Sequence, residues 1–389
     1  MNNVRFGVVG LGNMGSYHVQ AFRQINNATL EGICDPDAGR LAAAAQKTPA
    51  RQFEKYQDLL ASGLIDAVLI ATPHLQHAEI ALAAFERDIH VLCEKPLAVT
   101  VRQGRQVVDA AGGRPHLRFA MMFQLRTSSL YRKLRELIAE GELGEITRLT
   151  WIATDWFRTW AYYASGGWRA TWSGEGGGAL INQCPHNLDL MHWTTGLTPR
   201  RITAVGFVGK THPIEVEDEV SAIIEYDGGA IGHFITSTGE APGTNRLEIV
   251  GDRGRIVAEG DKLHFTRTRR SVREVRQTSR EAFAQVETWE IDIPPAASVP
   301  EGHRAITQNF VNAILSNEPL IAPGSDGLRQ VELASAMLMS ALTRRLVELP
   351  PDGEAYDGFL QEMARTYGGR KSLKTDPTAT ADIAASFKH

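Results

Sequence analysis

Along the first third of the chain, apolar runs and helical patterns alternate in a regular order. Val4 to Val9 is a short β-type run, and after a glycine-rich turn a helical pattern begins with Val19 and Phe22. Thr29 to Cys34 reads as a second strand and Ala67 to Ala71 as a third. Ala78, Ala81, Leu82 and Phe85 then fall at i, i+3, i+4 and i+7, one face of a helix. Ile89 to Cys93 and Leu117 to Phe123 are further strands, with a helix carrying Val101, Val107 and Val108 between them. Strand, turn and helix in repetition predict an α/β protein whose first domain, residues 1–124, holds a doubly wound parallel sheet.

Beyond Gln124 the pattern changes. Leu130, Leu134, Leu137 and Ile138 share a helix face, and from Trp151 to Trp172 aromatics crowd the chain without a clean period. From Ile202 to about Thr268 short alternating runs, with Asp227-Gly228-Gly229 as a hairpin signal, predict antiparallel strands. Helices follow around Ile306 to Ile314 and Val331 to Leu346. Residues 125–389 therefore read as a second α/β domain with a large, mostly antiparallel open sheet, helices on one face and a second subunit on the other. The Thr-, Ala- and Asp-rich stretch after about Lys371 is expected to be disordered or an intersubunit arm.

Composition narrows the partners. A formal charge of −4, with 43% apolar and 22% charged residues, describes an ordinary globular protein and argues against nucleic acid or an anionic membrane. Small molecules fit better. The first residues lack the basic head and apolar core of a secretory signal, and no run approaches the roughly 18 apolar residues of a membrane span, so the expected location is cytoplasmic. Three cysteines, Cys34, Cys93 and Cys184, are too few and odd in number for a disulfide framework; they read as small buried hydrophobes, and no metal site is expected. Lys262 to Arg280 carries seven basic residues against Glu274 and reads as a solvated edge.

The candidate chemistry begins at Gly10-Leu11-Gly12-Asn13-Met14-Gly15, between a strand and a helix, the context the dinucleotide fingerprint requires. Gly10 permits the turn, Gly12 lets backbone approach a pyrophosphate, Gly15 lets the helix pack close to the strand, and the helix amino terminus faces the phosphates. Asp35 ends the second strand, where a carboxylate bonds the adenosine ribose. Its charge favours NAD, since it repels a 2′-phosphate, while Arg40 leaves NADP open. Thr72, Pro73 and His74 end the next strand and join the expected cofactor set, as does His77, which either touches the cofactor or caps and packs. Glu94 and Lys95 precede Pro96 at the carboxyl end of a strand, where ligands bind in open α/β sheets.

The aromatic segment reads either as core packing or as a sugar site; in the second reading Tyr163 and Trp168, with Arg158 and Arg169, suit a sugar ring, apolar on its faces and hydroxylated at its rim. After Gly174 to Gly178, a helical reading puts Asn182, His186 and Asp189 on one stripe. Gln124 closes the substrate set.

With these residues in view, the chain resembles the Gfo/Idh/MocA family of oxidoreductases. The markers are Gly10 to Gly15, Thr72-Pro73 with His77, His90 to Pro96, Arg126 with Tyr131-Arg132-Lys133-Leu134, Gly177 to Asp189, and Asp326-Gly327. The resemblance implies a Rossmann domain followed by an open-sheet domain, assembled through sheet faces as homo-dimers or homo-tetramers. It places Lys95 beside the nicotinamide and His186 against the substrate hydroxyl as the catalytic pair. Three departures stand out: Asn182 replaces an aspartate common in the family, His74 an asparagine and Gln124 another asparagine. The implied activity is NAD-dependent oxidation of a secondary ring hydroxyl in a sugar, glycoside, anhydrosugar or inositol, with C3 of a pyranose favoured by analogy. His186 is then the general base and Lys95 the polarising group, or the roles are exchanged. The alternatives are an NAD-dependent glycosidase acting by transient oxidation, and a non-catalytic NAD-binding sensor.

Overall fold

The structure, a computed structural model, describes residues 2–296 and 300–376. Six strands form the first sheet: β1 (Val4–Val9), β2 (Ala28–Cys34), β3 (Arg51–Phe53), β4 (Ala67–Ile70), β5 (His90–Cys93) and β6 (Phe119–Met121), in the order β3-β2-β1-β4-β5-β6. All pair in parallel. Helices α1 (Asn13–Ala21), α2 (Ala38–Ala45), α3 (Tyr56–Ala61), α4 (His77–Phe85) and α5 (Val101–Gly112) make the connections. Strands buried on both faces need continuous apolar runs, and Ala67 to Ile70 and Val91 to Cys93 are wholly buried. The strand order reverses between β1 and β4, which opens a crevice at their carboxyl ends.

The second sheet has nine strands. They are β7 (Ile146–Ala153), β8 (Pro199–Val208), β9 (Glu217–Tyr226), β10 (Ile231–Ser237), β11 (Asn245–Gly251), β12 (Gly254–Glu259), β13 (Lys262–Thr268), β14 (Thr288–Ile293) and β15 (Val347–Glu348). Their order is β14-β13-β12-β11-β7-β10-β9-β8-β15, antiparallel except for the β7–β10 pair. The remaining helices are α6 (Ser129–Ala139), α7 (Trp160–Ala164), α8 (Trp172–Glu175), α9 (Ala179–Asn182), α10 (Pro185–Thr195), α11 (Val272–Thr278), α12 (His303–Ser316), α13 (Ser325–Thr343) and α14 (Gly353–Tyr367). Apolar side chains of α6, α10 and α13 join those of the sheet in one core that includes Leu134, Leu188, Phe234 and Leu338. On the opposite face Val205, Phe207, Ile223 and Ile231 stand between 44% and 48% exposed.

The fold expected from the sequence is the fold observed, with informative differences. The domain division at residue 124 omits α12, whose Ile306, Phe310 and Val311 belong to the first core, Phe310 lying 6.1 Å from the Phe6 ring. The aromatic stretch conceals β7, the middle strand of the second sheet, where Trp151 is fully buried and its indole N–H donates to Asn245 at 3.0 Å. The single helix read from Ala179 onward is two, α9 and α10, because Pro185 takes a first-turn position and starts a helix afresh. The basic run forms β13 and α11, with arginines in exposed ion pairs such as Arg269–Glu287 and Arg270–Glu274. Of the tail, residues 371–376 lie along the aromatic segment: Lys371 donates to the carbonyls of Gly166 and Arg169, and the Asp376 amide to Ala164. Residues 377–389 lie outside the described residues.

Candidate active site

The carboxyl end of β1 runs into a turn that only glycine fits. Gly10 has a φ of +88°, and a Cβ there would lie 2.6 Å from the Ala71 carbonyl oxygen. A Cβ on Gly15 would come within 1.7 Å of the Gly10 oxygen, so α1 packs against the strand as the fingerprint requires. At Gly12 a Cβ would meet nothing within 4 Å, because the position faces a cavity of 660 Å³. Asp35, buried at the end of β2, accepts the Leu11 amide at 2.7 Å and the Asp37 amide at 2.9 Å, which fixes the glycine turn. Asn13, Met14, Thr72, Pro73 and Arg40 also line the cavity, and the Thr72 hydroxyl has no hydrogen-bond partner among the described residues. An open face at Gly12, amides at the start of α1, an acid at the second strand end and an unsatisfied hydroxyl fit a dinucleotide.

Beyond this half, β5 delivers Glu94 and Lys95 into the same cavity. Glu94 is buried with its Oε1 2.8 Å from His18 Nε2. Burial pushes its carboxyl up, but the His18 hydrogen bond and nearby positive groups outweigh that and bring it down to about 2. Lys95 lies at the cavity wall with Nζ donating to the Asn182 carbonyl at 2.6 Å. Burial takes its amine down to about 8, with Glu94 working in the opposite direction. Both His77 nitrogens contact backbone oxygens, Nδ1 that of Pro96 at 2.7 Å and Nε2 that of Thr72 at 2.8 Å, so the ring braces the ends of β4 and β5.

The second domain closes the cavity. His186, in the first turn of α10, is buried, and Gln124 Nε2 donates to its Nε2 at 3.1 Å. In that orientation the ring proton sits on Nδ1, which has no partner among the described residues. Burial, reinforced by the Lys95 charge, holds His186 well below the usual imidazole range, so the ring is neutral. Asn182 ends α9; its amide donates to the Glu175 carboxylate in a close contact, and its Oδ1 receives the Tyr162 hydroxyl at 3.5 Å. Arg158 and Arg169 stack on Tyr162 at 5.0 and 4.8 Å, and Arg169 Nη1 donates to the Tyr162 hydroxyl at 3.0 Å. Trp156, Phe157 and Trp168 complete the aromatic wall, and His74 lies 5.3 Å from the Trp168 ring.

Two expected members fall elsewhere. Tyr163 points into the second core, its hydroxyl donating to Thr238 at 2.9 Å, and Tyr162 is the cavity tyrosine instead. Asp189 shares α10 with His186 but does not line the cavity; it holds Arg126 through two hydrogen bonds at 2.8 and 2.5 Å. The sequence reading passed over His18, His303, Tyr162 and Glu175. Glu175, the lone charge in Gly174 to Gly178, carried the clearest unused signal.

Residues 4–119 match an oxidoreductase family with an NAD-binding Rossmann fold, and residues 131–257 match the GFO/IDH/MocA C-terminal domain. The chain belongs to the GFO/IDH/MocA family. Its first domain is the family's NAD-binding Rossmann domain. Among similar proteins is an inositol 2-dehydrogenase of Leifsonia xyli subsp. xyli, 40% identical over 151 residues; the match spans 37% of this chain and 43% of that protein, less than half its length. A levoglucosan dehydrogenase of Pseudarthrobacter phenanthrenivorans is 27% identical, with 90% and 99% of the two chains covered. In three dimensions the chain is similar to the WlbA dehydrogenase of Bordetella pertussis in complex with NADH and UDP-GlcNAcA, at a TM-score of 0.75, 27% identity and coverage of 90% and 100%. Among the described residues no helix is long and apolar enough to cross a membrane.

Proposed function

We propose that this protein is an NAD-dependent dehydrogenase that oxidises a secondary ring hydroxyl of a sugar or cyclitol to a ketone. One observation carries the reading. Lys95 and His186 line one cavity together with the glycine turn at Gly10 and Gly12 and the aromatics Trp156, Tyr162 and Trp168. The relatives support the substrate class, since inositol, levoglucosan and a nucleotide-linked sugar are all hydroxylated rings.

The Gly10–Gly15 amides and Asp35 hold the dinucleotide, and Asp35 with the nearby Asp37 favours NAD over NADP by repelling a 2′-phosphate. Bound NAD supplies the hydride acceptor. This chain's own residues handle the proton. Neutral Lys95 takes it from the hydroxyl as the carbonyl forms, and the resulting ammonium is steadied by the Asn182 carbonyl. His186, neutral and braced by Gln124, orients the hydroxyl. The aromatic wall covers the ring face, and Arg158 and Arg169 present donors to its rim.

The test is a panel of inositols, aldoses, anhydrosugars and glycosides with NAD, followed by NADH absorbance and identification of the ketone. Wild type is expected to reduce NAD with at least one ring polyol, and Lys95→Ala to lose about 10²–10⁴-fold in turnover while still binding NAD. Near-normal turnover in both Lys95→Ala and His186→Ala would overturn the assignment.

A further inference from the structure

Glu175 is a buried carboxylate with no part in the chemistry described above. It is 2% exposed, it ends the short α8, and the αL turn at Gly176 sends the chain away immediately after it. Its Oε2 accepts the Ala170 amide at 2.6 Å and its Oε1 accepts the Asn182 side-chain amide. Both donors are neutral, and among the described residues no cation is hydrogen-bonded to it. Glu94 differs, since His18 contacts it directly. Asn182 is held from two sides, by Glu175 at its amide and by Lys95 at its main-chain oxygen. A buried charge without a direct ion partner is sustained by charges close by and by donated hydrogen bonds.

We propose that Glu175 is a positioning residue for Lys95: gripping Asn182, it fixes the carbonyl that receives the ammonium and supplies the negative charge that keeps that ammonium charged inside the protein. The role rests on the reading of Lys95 as the proton acceptor. The charged and titratable groups around Lys95 are Glu94 beside it, Arg158 and Arg169 from the aromatic segment, and Glu175 from α8. His74, His77, His186 and His303 also feel its charge. Around Glu175 itself stand Arg169, Lys95 and Lys371, with Glu217 as the like charge. Two arginines thus push the Lys95 proton off, and Glu175 with Glu94 holds it on. Burial outweighs Arg169, the two hydrogen bonds and Lys95, so the Glu175 carboxyl stands above its ordinary value, and those partners are what favour its charged form.

The experiment measures Lys95 directly, on the full chain with and without NAD. Competitive acetylation with acetic anhydride consumes only the neutral amine, so the pH dependence of labelling at Lys95, read by mass spectrometry, gives its pKa without any substrate. In Glu175→Gln, which keeps the shape and loses the charge, that pKa is expected to fall by about one unit. Glu175→Asp, which keeps the charge, stays nearer to wild type. An unshifted Lys95 in Glu175→Gln, or equal shifts in both variants, would overturn the proposal. Should Glu175→Gln not fold, Asn182→Ala removes the amide that supports the carboxylate and is expected to lower the Lys95 pKa in the same direction; no change there also overturns it. Failure of the dehydrogenase reading would show instead as near-normal turnover in both Lys95→Ala and His186→Ala, a result that leaves the labelling curves untouched.

Discussion

Lys95 of the first domain donates to the main-chain oxygen of Asn182 in the second at 2.6 Å, so its amine is held by the opposite half of the molecule. Burial lowers the pH at which that amine gives up its proton.

The first prediction concerns pH. Burial lowers the Lys95 amine to about 8, and oxidation needs its neutral form. Turnover in the oxidative direction is therefore expected to rise about tenfold per pH unit below 8 and to level off above it. A pH–rate profile under saturating NAD and sugar checks this. A flat profile would remove Lys95 from the role.

Gly12 and Gly15 separate two functions of one motif. Gly12→Ala adds a methyl group in open space, so the protein is expected to fold normally and to bind NAD more weakly. Gly15→Ala drives a methyl group into the Gly10 carbonyl and is expected to cost about 1–3 kcal/mol of stability. Thermal melting with and without NAD distinguishes the two.

Acid stability should depend on Glu94. Its carboxyl lies at about 2 when folded against an ordinary value of 4.5, so the folded state binds its proton less readily than the unfolded chain. The stabilisation is complete above the unfolded value and is lost as pH falls through 4.5 toward 2, about 3 kcal/mol in all. Denaturant titrations at stepped pH should show a shallower acid limb in Glu94→Gln than in wild type. Parallel curves would contradict the pairing with His18.

The exposed face of the second sheet predicts association. Val205, Phe207, Ile223 and Ile231 stand half exposed on one face of the sheet, interspersed with polar neighbours such as Ser221 and Glu225, and a second copy of the chain is the expected cover. Sedimentation is expected to give a dimer or tetramer, and Ile223→Arg to shift it toward monomer while NAD binding persists. A monomeric wild type would refute this.

Lys95 and the glycine turn were legible in the sequence because their chemistry is local: a strand, a fixed spacing and a strand end suffice. Asn182 and His186 were legible as site residues but not as geometry. Reading them on one helix ignored Pro185, which belongs in a first turn and marks a restart. Tyr163 and Tyr162 could not be told apart, since adjacent residues of a five-residue helix face different ways and the stretch has no period to choose between them. His18 was hidden because its partner, Glu94, is a tertiary neighbour, whereas Glu175 stood out as the lone charge in a glycine run although its partner Asn182, in the next helix, could not be read off. The strand β7 was missed because only its last residues, from Trp151, fall in the aromatic stretch, which showed no period of its own.

The seating of Phe310 against Phe6 bears on how the molecule is made. A ribosome delivers residues 1–124 well before α12, so the side of β1 that α12 covers stays open until residues His303–Ser316 have emerged. Closing so long a loop is slow and entropically costly, so the nucleotide half completes its folding late although it is synthesised early. A fragment cut at residue 124 would carry that uncovered apolar surface permanently. The first core is thus closed by a helix from far along the chain, and the order of synthesis is not the order of assembly.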